Sequence, residues 1–159
     1  MKRQQGGFTL IELIIVIVIL GILAVTAAPR FFNFATDARK STLNGVKGAL
    51  ESASSLVYGK AIIAGRQTGT ACLNLAGDVL ATTDSACADG QFTLTNGYPG
   101  ADAATLRNIA ELATEEWSIT GTGPLIIKPL NAPDECHVSY AASGGAGQKP
   151  VITIVNTGC

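Results

Sequence analysis

The sequence is poor in the residues that enzymes most often use for chemistry. Its 159 residues include one histidine, one methionine and one tryptophan, and only 14% of them are charged. With His137 as the single histidine, the chain has no histidine cluster for a metal and one candidate base for a catalytic triad. His137 alternates with Cys136 and Val138, which is typical of a histidine on the surface of a strand. We therefore expect no catalytic residues, no metal site and no cofactor.

Other sequence signals of common binding functions are also missing. The glycine-rich segment 143–147 lacks a lysine and a hydroxyl residue at P-loop spacing, so we interpret it as a flexible loop. The four cysteines show no C-x-x-C spacing, which disfavours a zinc or thioredoxin-type site. The formal net charge is −1, and residues 61–159 carry nine acidic and four basic side chains. An acidic head of this kind argues against sequence-independent binding of nucleic acid.

One long apolar run dominates what is present. Residues 8–28 hold 17 apolar side chains out of 21. As a helix this run would span roughly 31 Å, enough to cross a bilayer core of about 30 Å, which excludes an ordinary soluble cytoplasmic protein. Three interpretations are open: a cleavable secretory signal, a plain membrane anchor, and an apolar segment kept after removal of a short leader. A secretory signal has a shorter apolar region of about 7–15 residues, which disfavours the first interpretation.

Two local features favour removal of a short leader. Gly6-Gly7 separates the basic leader from the apolar run, so cleavage after Gly7 would leave Phe8 as the new amino terminus. Glu12 would then lie inside hydrocarbon, where a carboxylate is costly and indicates a functional site. We expect its partner to be the new N-terminal amine of a neighbouring chain, which would fix the stagger between subunits. The alternative is a Glu12 side chain that extends toward the lipid headgroups.

The sequence around this point resembles a known family. Gly6-Gly7-Phe8-Thr9-Leu10-Ile11-Glu12-Leu13, followed by Gly21 and Pro29, resembles the class III signal of type IV prepilins. More narrowly, residues 21–31 and 57–60 resemble the mannose-sensitive haemagglutinin class of type IVa pilins. The resemblance implies cleavage after Gly7 by the prepilin peptidase, methylation of the Phe8 amine and polymerisation driven by an ATPase. It further implies that Phe8 and Glu12 act in subunit assembly.

After Pro29 the apolar residues continue at helical spacing over residues 29–60. The members of this pattern are Phe31, Phe34/Ala35, Ala38, Val46, Ala49/Leu50, Ala53 and Leu56/Val57. Their steps of three and four predict an amphipathic second half of one long helix, with a kink at Pro29 because proline lacks an N–H and clashes with the preceding turn. A helix over 8–58 is longer than a small head covers. Its protruding part therefore needs lipid before assembly and equivalent helices afterwards.

Residues 61–159 have the pattern of a β-rich head. Strand-like runs occur at Phe92/Leu94, Trp117/Ile119, 136–140 and 151–155, and turn residues such as Asn96-Gly97 separate them. Residues 101–115 predict a short helix with Asp102 as its N-cap. The predicted fold class is therefore α+β: a pilin-like ladle whose long N-terminal helix packs on an antiparallel sheet of about four strands.

The four cysteines allow three disulfide connectivities. We favour Cys72–Cys87 and Cys136–Cys159, each of which closes a local loop; the second pair resembles the C-terminal disulfide-bounded region of the pilin family. Disulfides predict a periplasmic or extracellular head, and free buried thiols are the alternative. Basic residues lie on both sides of the apolar run, so the positive-inside rule leaves its orientation open.

We interpret the chain as a structural subunit, the major pilin, of a type IV pilus used for attachment, and not as an enzyme. Its domains would be a leader (1–7), a transmembrane and polymerisation half-helix (8–28), an amphipathic half-helix (29–60) and a head (61–159). Its expected partners are identical subunits, the inner membrane before assembly, the prepilin peptidase and the assembly machinery. We expect a bacterial inner-membrane precursor with a periplasmic head, and an extracellular pilus after assembly. The alternatives are a minor pilin, a type II secretion pseudopilin, or a membrane-anchored periplasmic binding module.

Overall fold

The computed structural model describes residues 7–74, 76–81, 87–88 and 90–159, and the predicted leader residues 1–6 lie outside these ranges. The chain divides into two compact units, one ending at Ala38 and the other beginning at Arg39. The first unit holds the apolar half of the N-terminal helix. The second holds the rest of that helix and every strand in the described ranges.

Helix α1 extends from Leu10 to Ile63, so it ends three residues beyond the predicted boundary at Lys60. Within the second unit one stripe of α1 is buried, and its members follow one another at steps of three, four or seven residues: Leu43, Val46, Leu50, Val57 and Ala61. This spacing confirms an amphipathic helix. Of the residues predicted as alternatives at one position, Leu50 and Val57 are buried, whereas Leu56 is 66% exposed.

The second helix, α2, covers Ala103–Ile109. Asp102 is its N-cap, as predicted: its Oδ1 accepts from the Thr105 N–H at 2.7 Å and its Oδ2 from the Thr105 hydroxyl at 2.6 Å. The predicted extent to residue 115 was wrong. The helix ends because Glu111 adopts a φ of 52°, a left-handed conformation that no helix continues through.

Within the described residues, eight strands form two antiparallel sheets. Their bounds are β1 Thr70–Leu73, β2 Val79–Ala81, β3 Phe92–Thr95, β4 Tyr98–Pro99, β5 Trp117–Thr120, β6 Leu125–Pro129, β7 His137–Ala141 and β8 Val151–Val155. The first sheet has the order β2-β1-β3-β4 and the second β5-β6-β7-β8. The α+β class and a four-stranded antiparallel sheet are confirmed. The predicted strand at Phe92/Leu94 lies in the first sheet as β3, and β6, which was not predicted, completes the second sheet. The other strands of the first sheet, β1, β2 and β4, have only two to four residues and are too short to give a clear period-two pattern.

Two apolar clusters hold the second unit together. Leu43, Val46 and Leu50 of α1 pack in the larger cluster with the inner face of the second sheet and with α2, through the following side chains: Leu106, Leu112, Trp117, Leu125, Ile127, Val138 and Tyr140. Val57 packs in the smaller cluster with the first sheet, against Ala71, Leu73, Phe92 and Leu94. Both sheets therefore pack against the same face of α1.

A buried tyrosine connects the two sheets. The Tyr140 hydroxyl on β7 donates a hydrogen bond of 2.7 Å to the Pro99 carbonyl on β4. Beside it, the rings of Tyr58 and Tyr98 stack with centroids 4.3 Å apart. Asn96 and Gly97 form the turn before β4 with φ values of 52° and 79°, the left-handed pair that a tight hairpin requires.

Candidate assembly site at the N-terminal helix

Helix α1 begins with a hydrogen-bonded cap made by Thr9 and Glu12. The backbone N–H and the hydroxyl of Thr9 both donate to Oε2 of Glu12, at 2.9 and 2.8 Å. The Glu12 N–H donates in return to the Thr9 hydroxyl oxygen at 3.3 Å. This reciprocal arrangement is a capping box, in which two backbone donors of the first turn find side-chain acceptors. It holds Oε2 of Glu12 at the backbone N–H of Thr9, the residue that follows Phe8.

The predicted cleavage site lies in backbone outside the helix. Gly7, Phe8 and Thr9 precede the first helical residue, and the Phe8 side chain is 92% exposed. A Cβ added at Gly7 would meet no atom within 4 Å. The Gly7–Phe8 peptide bond is therefore open to approach from outside the chain.

The first sixteen residues of α1 present an apolar surface that nothing in the described chain covers. From Leu10 to Val25, every large apolar side chain is between 46% and 77% exposed. An 18-residue window of this helix has a mean hydropathy of 3.0, so by length and composition the helix is able to cross a membrane. A contiguous apolar surface of this size marks a site of contact with lipid or with protein.

Pro29 lies inside α1, where it removes one backbone donor from the helix. Nearby, the Thr26 hydroxyl donates to the carbonyls of Leu23 and Ile22 at 3.0 and 3.3 Å. Bonds of this kind from a threonine to the preceding turn accompany bending of helices. The kink at Pro29 stays a prediction.

All four cysteines are paired in the second unit, with Cys72 bonded to Cys87 and Cys136 to Cys159. The Cα atoms lie 5.6 and 4.9 Å apart, within the usual range for disulfides. The predicted Cys136–Cys159 pair is confirmed. It brings the last residue of the sequence back to the start of β7, where Arg39 Nη1 donates to the Cys159 carbonyl at 3.3 Å.

His137 lies beside an ion pair on the surface of the second sheet. Its Nδ1 is 2.7 Å from the Asp134 carbonyl oxygen, and Lys128 Nζ donates to Asp134 Oδ1 at 2.8 Å. The hydrogen bond from Lys128 holds the pKa of Asp134 below its usual range, and the charges of Lys128 and His137 act in the same direction. In the ranges described above, no three His, Cys, Asp or Glu side chains are grouped so that they could hold a metal.

Two polar contacts that shape the molecule were not predicted from the sequence. Thr9 was not singled out, although the T-x-x-E spacing of Thr9 and Glu12 is the signature of a capping box. Arg107 donates to the carbonyls of Leu112 and Trp117 at 3.2 and 3.0 Å and so ties the end of α2 to β5. No local sequence pattern predicts the Arg107 contacts, because they depend on the path of the chain between α2 and β5.

The N-terminal segment of the chain matches a known protein family, and a longer stretch matches a curated relative. Residues 2–28 match a family described as the prokaryotic N-terminal methylation motif, and these residues include Gly7, Phe8 and Glu12. The chain is 36% identical to a type IV major fimbrial protein, FimA, of Dichelobacter nodosus over 106 residues, which are 62% of this chain and 65% of that protein.

Two further relatives each match about one third of the chain. A type IV narrow pilus major component of Thermus thermophilus is 46% identical over 53 residues, 33% of this chain and 46% of that protein. The type II secretion system core protein G of Pseudomonas aeruginosa is 42% identical over 52 residues, 33% of this chain and 37% of that protein. The chain thus spans less than two thirds of the length of these curated relatives. No solved structure matches it significantly.

Proposed function

Since this chain is a type IV prepilin by its methylation motif and its relatives, we propose that it is the major structural subunit of a type IV pilus. The observation that carries the proposal is the uncovered apolar surface of α1 from Leu10 to Val25. A protein with such a helix and a head of ordinary composition needs lipid to cover the apolar surface before assembly. After assembly, equivalent helices of a polymer would cover the same surface. The narrower likeness to the mannose-sensitive haemagglutinin class stays a prediction.

Processing would begin at the Gly7–Phe8 bond. The prepilin peptidase would remove residues 1–7, and methylation would follow on the new Phe8 amine. The non-helical backbone of residues 7–9 and the exposure of Phe8 support this step, since a peptidase needs an accessible and extended bond. In this proposal 8–28 form the membrane and polymerisation segment, 29–60 the amphipathic half-helix and 61–159 the head.

Assembly would pair the Glu12 carboxylate with the Phe8 amine of a neighbouring subunit. The capping box supports this role because it already holds Glu12 Oε2 at the amino end of the helix. Inside hydrocarbon, an unpaired carboxylate and an unpaired ammonium are each costly, so the pair removes both costs at one axial stagger. The same stagger, repeated from subunit to subunit, would produce a helical filament.

The head would fold on the periplasmic side of the inner membrane and end outside the cell in the filament. Its two disulfides support this placement, because disulfides form and persist in oxidising compartments. The apolar helix supports a membrane-held precursor. Attachment to surfaces is the use that we propose for the assembled filament.

The decisive experiment shears surface filaments from cells that express the chain and sequences the amino terminus of the released subunit. We expect an abundant subunit that begins at N-methylated Phe8. A subunit that still carries residues 1–7, or filaments that lack the chain, would contradict the proposal. A Gly7→Val variant is the control, and it should accumulate as uncleaved precursor in the membrane.

Two variants separate the charge of Glu12 from its part in the helix cap. Glu12→Gln keeps the capping box, because glutamine serves at that position as well as glutamate, but it removes the charge. Thr9→Ala removes the capping hydroxyl and keeps the charge. We expect Glu12→Gln to lower filament recovery at least tenfold with normal precursor levels, and Thr9→Ala to assemble. Equal assembly of Glu12→Gln and the unmodified chain would refute the charge pair. Loss of assembly in both variants would mean that the cap is required in addition to the charge.

A minor pilin or a type II secretion pseudopilin is the second candidate, and one observation favours it. The chain is 42% identical over 52 residues to a type II secretion core protein of Pseudomonas aeruginosa. Such a subunit would use the same helix and the same cleavage. Its amount in sheared filaments distinguishes the candidates, since a major pilin forms the bulk of the filament and a minor one a trace.

A membrane-anchored binding module would be favoured if Glu12→Gln left the surface location unchanged.

A further inference from the structure

The second sheet ends on one side in β8, and no strand of the described residues pairs with the outer edge of β8. The opposite edge, β5, is closed at its start. There the Trp117 N–H donates to the Ala113 carbonyl at 3.0 Å, and Arg107 Nη2 donates to the Trp117 carbonyl at 3.0 Å. For residues 151–155, the backbone hydrogen bonds within the described chain all go to β7. The backbone groups along the outer edge of β8 are therefore available to another strand.

The sequence of β8 carries none of the usual protections of an edge strand. Its five residues, Val-Ile-Thr-Ile-Val, include no charge, no proline and no glycine, and all of them favour β structure. Edge strands of natural proteins are normally kept from pairing by charged side chains, proline or a bulge. On the outer face of the sheet Val151 is 61% exposed and Thr153 is exposed, while Ile152 and Ile154 pack against the larger apolar cluster. An edge of this kind is a template for a further strand.

The order of residues in β8 identifies the strand that fits this edge. Val-Ile-Thr-Ile-Val reads the same in both directions, so an antiparallel copy centred on Thr153 faces each side chain with one of its own kind. Val151 would lie opposite Val155, and Ile152 opposite Ile154. Pairs of β-branched residues and Thr–Thr pairs stabilise antiparallel strands. A slip by one residue would place the apolar inner face of one sheet beside the outer face of the other, so burial favours this register.

Charged residues beside β8 are complementary in the same arrangement. Continuing the β7–β8 register by two residues places Glu135 beside Thr157, and the Gly158 N–H donates to the Glu135 carbonyl at 3.0 Å. In the antiparallel copy, Lys149 lies opposite that Thr157. Lys149 of each copy therefore falls in the same cross-strand row as Glu135 of the other copy. Both side chains are exposed, and neither forms an ion pair with a described residue of its own chain.

We propose that the edge of β8 binds a second copy of this chain through antiparallel, two-fold-symmetric pairing centred on Thr153. The two four-stranded sheets then form one continuous sheet. Such a contact uses the same patch on both copies, whereas subunits within one polar filament meet through different patches. In a filament, the pairing would therefore join heads of two neighbouring filaments. That consequence rests on the proposed function; the pairing itself does not, and it is testable on the unassembled chain.

The pairing is tested first by disulfide trapping of the full chain in detergent micelles. Thr153→Cys brings two equivalent Cα atoms to about 5 Å from each other, which a disulfide spans, so the oxidised chain should be a covalent dimer. Ser139→Cys is the matched control, because Ser139 lies opposite Thr153 on β7 and its equivalents would be about 14 Å apart, three strand spacings. We expect at least tenfold more covalent dimer from Thr153→Cys. Equal cross-linking of the two variants, at a high or a low level, would overturn the proposal.

A charge swap at the same position tests the two-fold axis by sedimentation of the full chain in micelles. Thr153→Lys and Thr153→Glu each place two like charges opposite one another, so each variant alone should associate at least tenfold more weakly than the unmodified chain. In an equal mixture lysine faces glutamate, and dimers that contain one of each variant should form. Undiminished association of either variant alone would assign the contact to another surface, such as the apolar part of α1, and would overturn the proposal. A mixture that stays monomeric would overturn it as well.

Both variants keep an exposed position exposed, so their urea midpoints should match that of the unmodified chain and show that the head is folded. Neither assay requires leader removal or a filament. Failure of the β8 pairing would therefore leave the proposed function standing, and failure of filament assembly would leave the pairing measurable.

Discussion

Removal of the C-terminal disulfide should destabilise the head by an amount that follows from the loop it closes. Cys136 and Cys159 are 23 residues apart, and the loop between them contains both β7 and β8. In the chain-entropy account, a cross-link over that separation stabilises the folded state by about 3.4 kcal/mol, because it restricts the unfolded chain. The double variant Cys136→Ala/Cys159→Ala should lose this contribution.

The measurement is urea unfolding of the full chain in micelles, followed by the fluorescence of Trp117, the only tryptophan and a buried member of the larger cluster. For a slope of about 1–3 kcal/mol per molar urea, a loss of about 3.4 kcal/mol lowers the midpoint by roughly 1–3 M. A midpoint within about 0.3 M of the unmodified chain, at that same slope, would refute the entropic reasoning.

A reducing agent provides the control for packing. Cys136 is fully buried, so its replacement by alanine also removes a sulfur atom from the core. Compared under reducing conditions, the unmodified chain and the double variant both lack the cross-link. If they unfold together, the whole effect belongs to the disulfide; if the variant unfolds well below the reduced chain, the loss belongs to the packing of Cys136.

Two further predictions concern polar contacts of the head. Tyr140→Phe leaves the Pro99 carbonyl without the hydroxyl that donates to it at 2.7 Å, so urea unfolding should show a loss of about 1–3 kcal/mol; an unchanged midpoint would contradict a buried bond. Lys128→Met should raise the pKa of Asp134, as read by carboxyl NMR titration, because the hydrogen bond and charge that lower it are gone. Because the pKa is lowered, the pair stabilises the fold at pH values above the ordinary Asp value of 3.8, and this stabilisation is lost as the pH falls below that value. The stability of the variant should therefore depend less on pH in the acid range. An unchanged titration of Asp134 would contradict the contact.

The parts of the molecule that were predicted correctly are those that short stretches of sequence specify. The long helix follows from a continuous apolar run and a 3.6-residue period, and Asp102 was recognisable as a cap because the residues that it caps are its neighbours in sequence. Gly7, Phe8 and Glu12 were identified from their order alone, and the family match covers them. Their roles in cleavage, methylation and assembly remain predictions that the filament experiments test.

The parts that were missed depend on contacts between distant residues. The hairpin of β1 and β2 has strands of four and three residues, so its existence depends on pairing with β3 some twenty residues later in the chain and not on a pattern of its own. The end of α2 was placed too late for a similar reason. Arg107 binds carbonyls that exist in that position only after the chain has turned at Glu111.

The position of Ser54 shows how a buried polar residue can be left out of a predicted apolar stripe. The predicted stripe ran through Ala49/Leu50, Ala53 and Leu56/Val57, and it followed apolar residues wherever they stood. The buried stripe of α1 instead runs Leu43, Val46, Leu50, Ser54, Val57, Ala61, at steps of three and four throughout. A serine therefore occupies a core position of an otherwise apolar stripe, where its hydroxyl has to be taken out of water. The predicted stripe included Ala53, which is only half-buried, and left out Ser54, which is 3% exposed. Had the stripe been fixed first from Leu43, Val46 and Leu50 and then extended, the next step of four would have fallen on Ser54 and marked it as the exception.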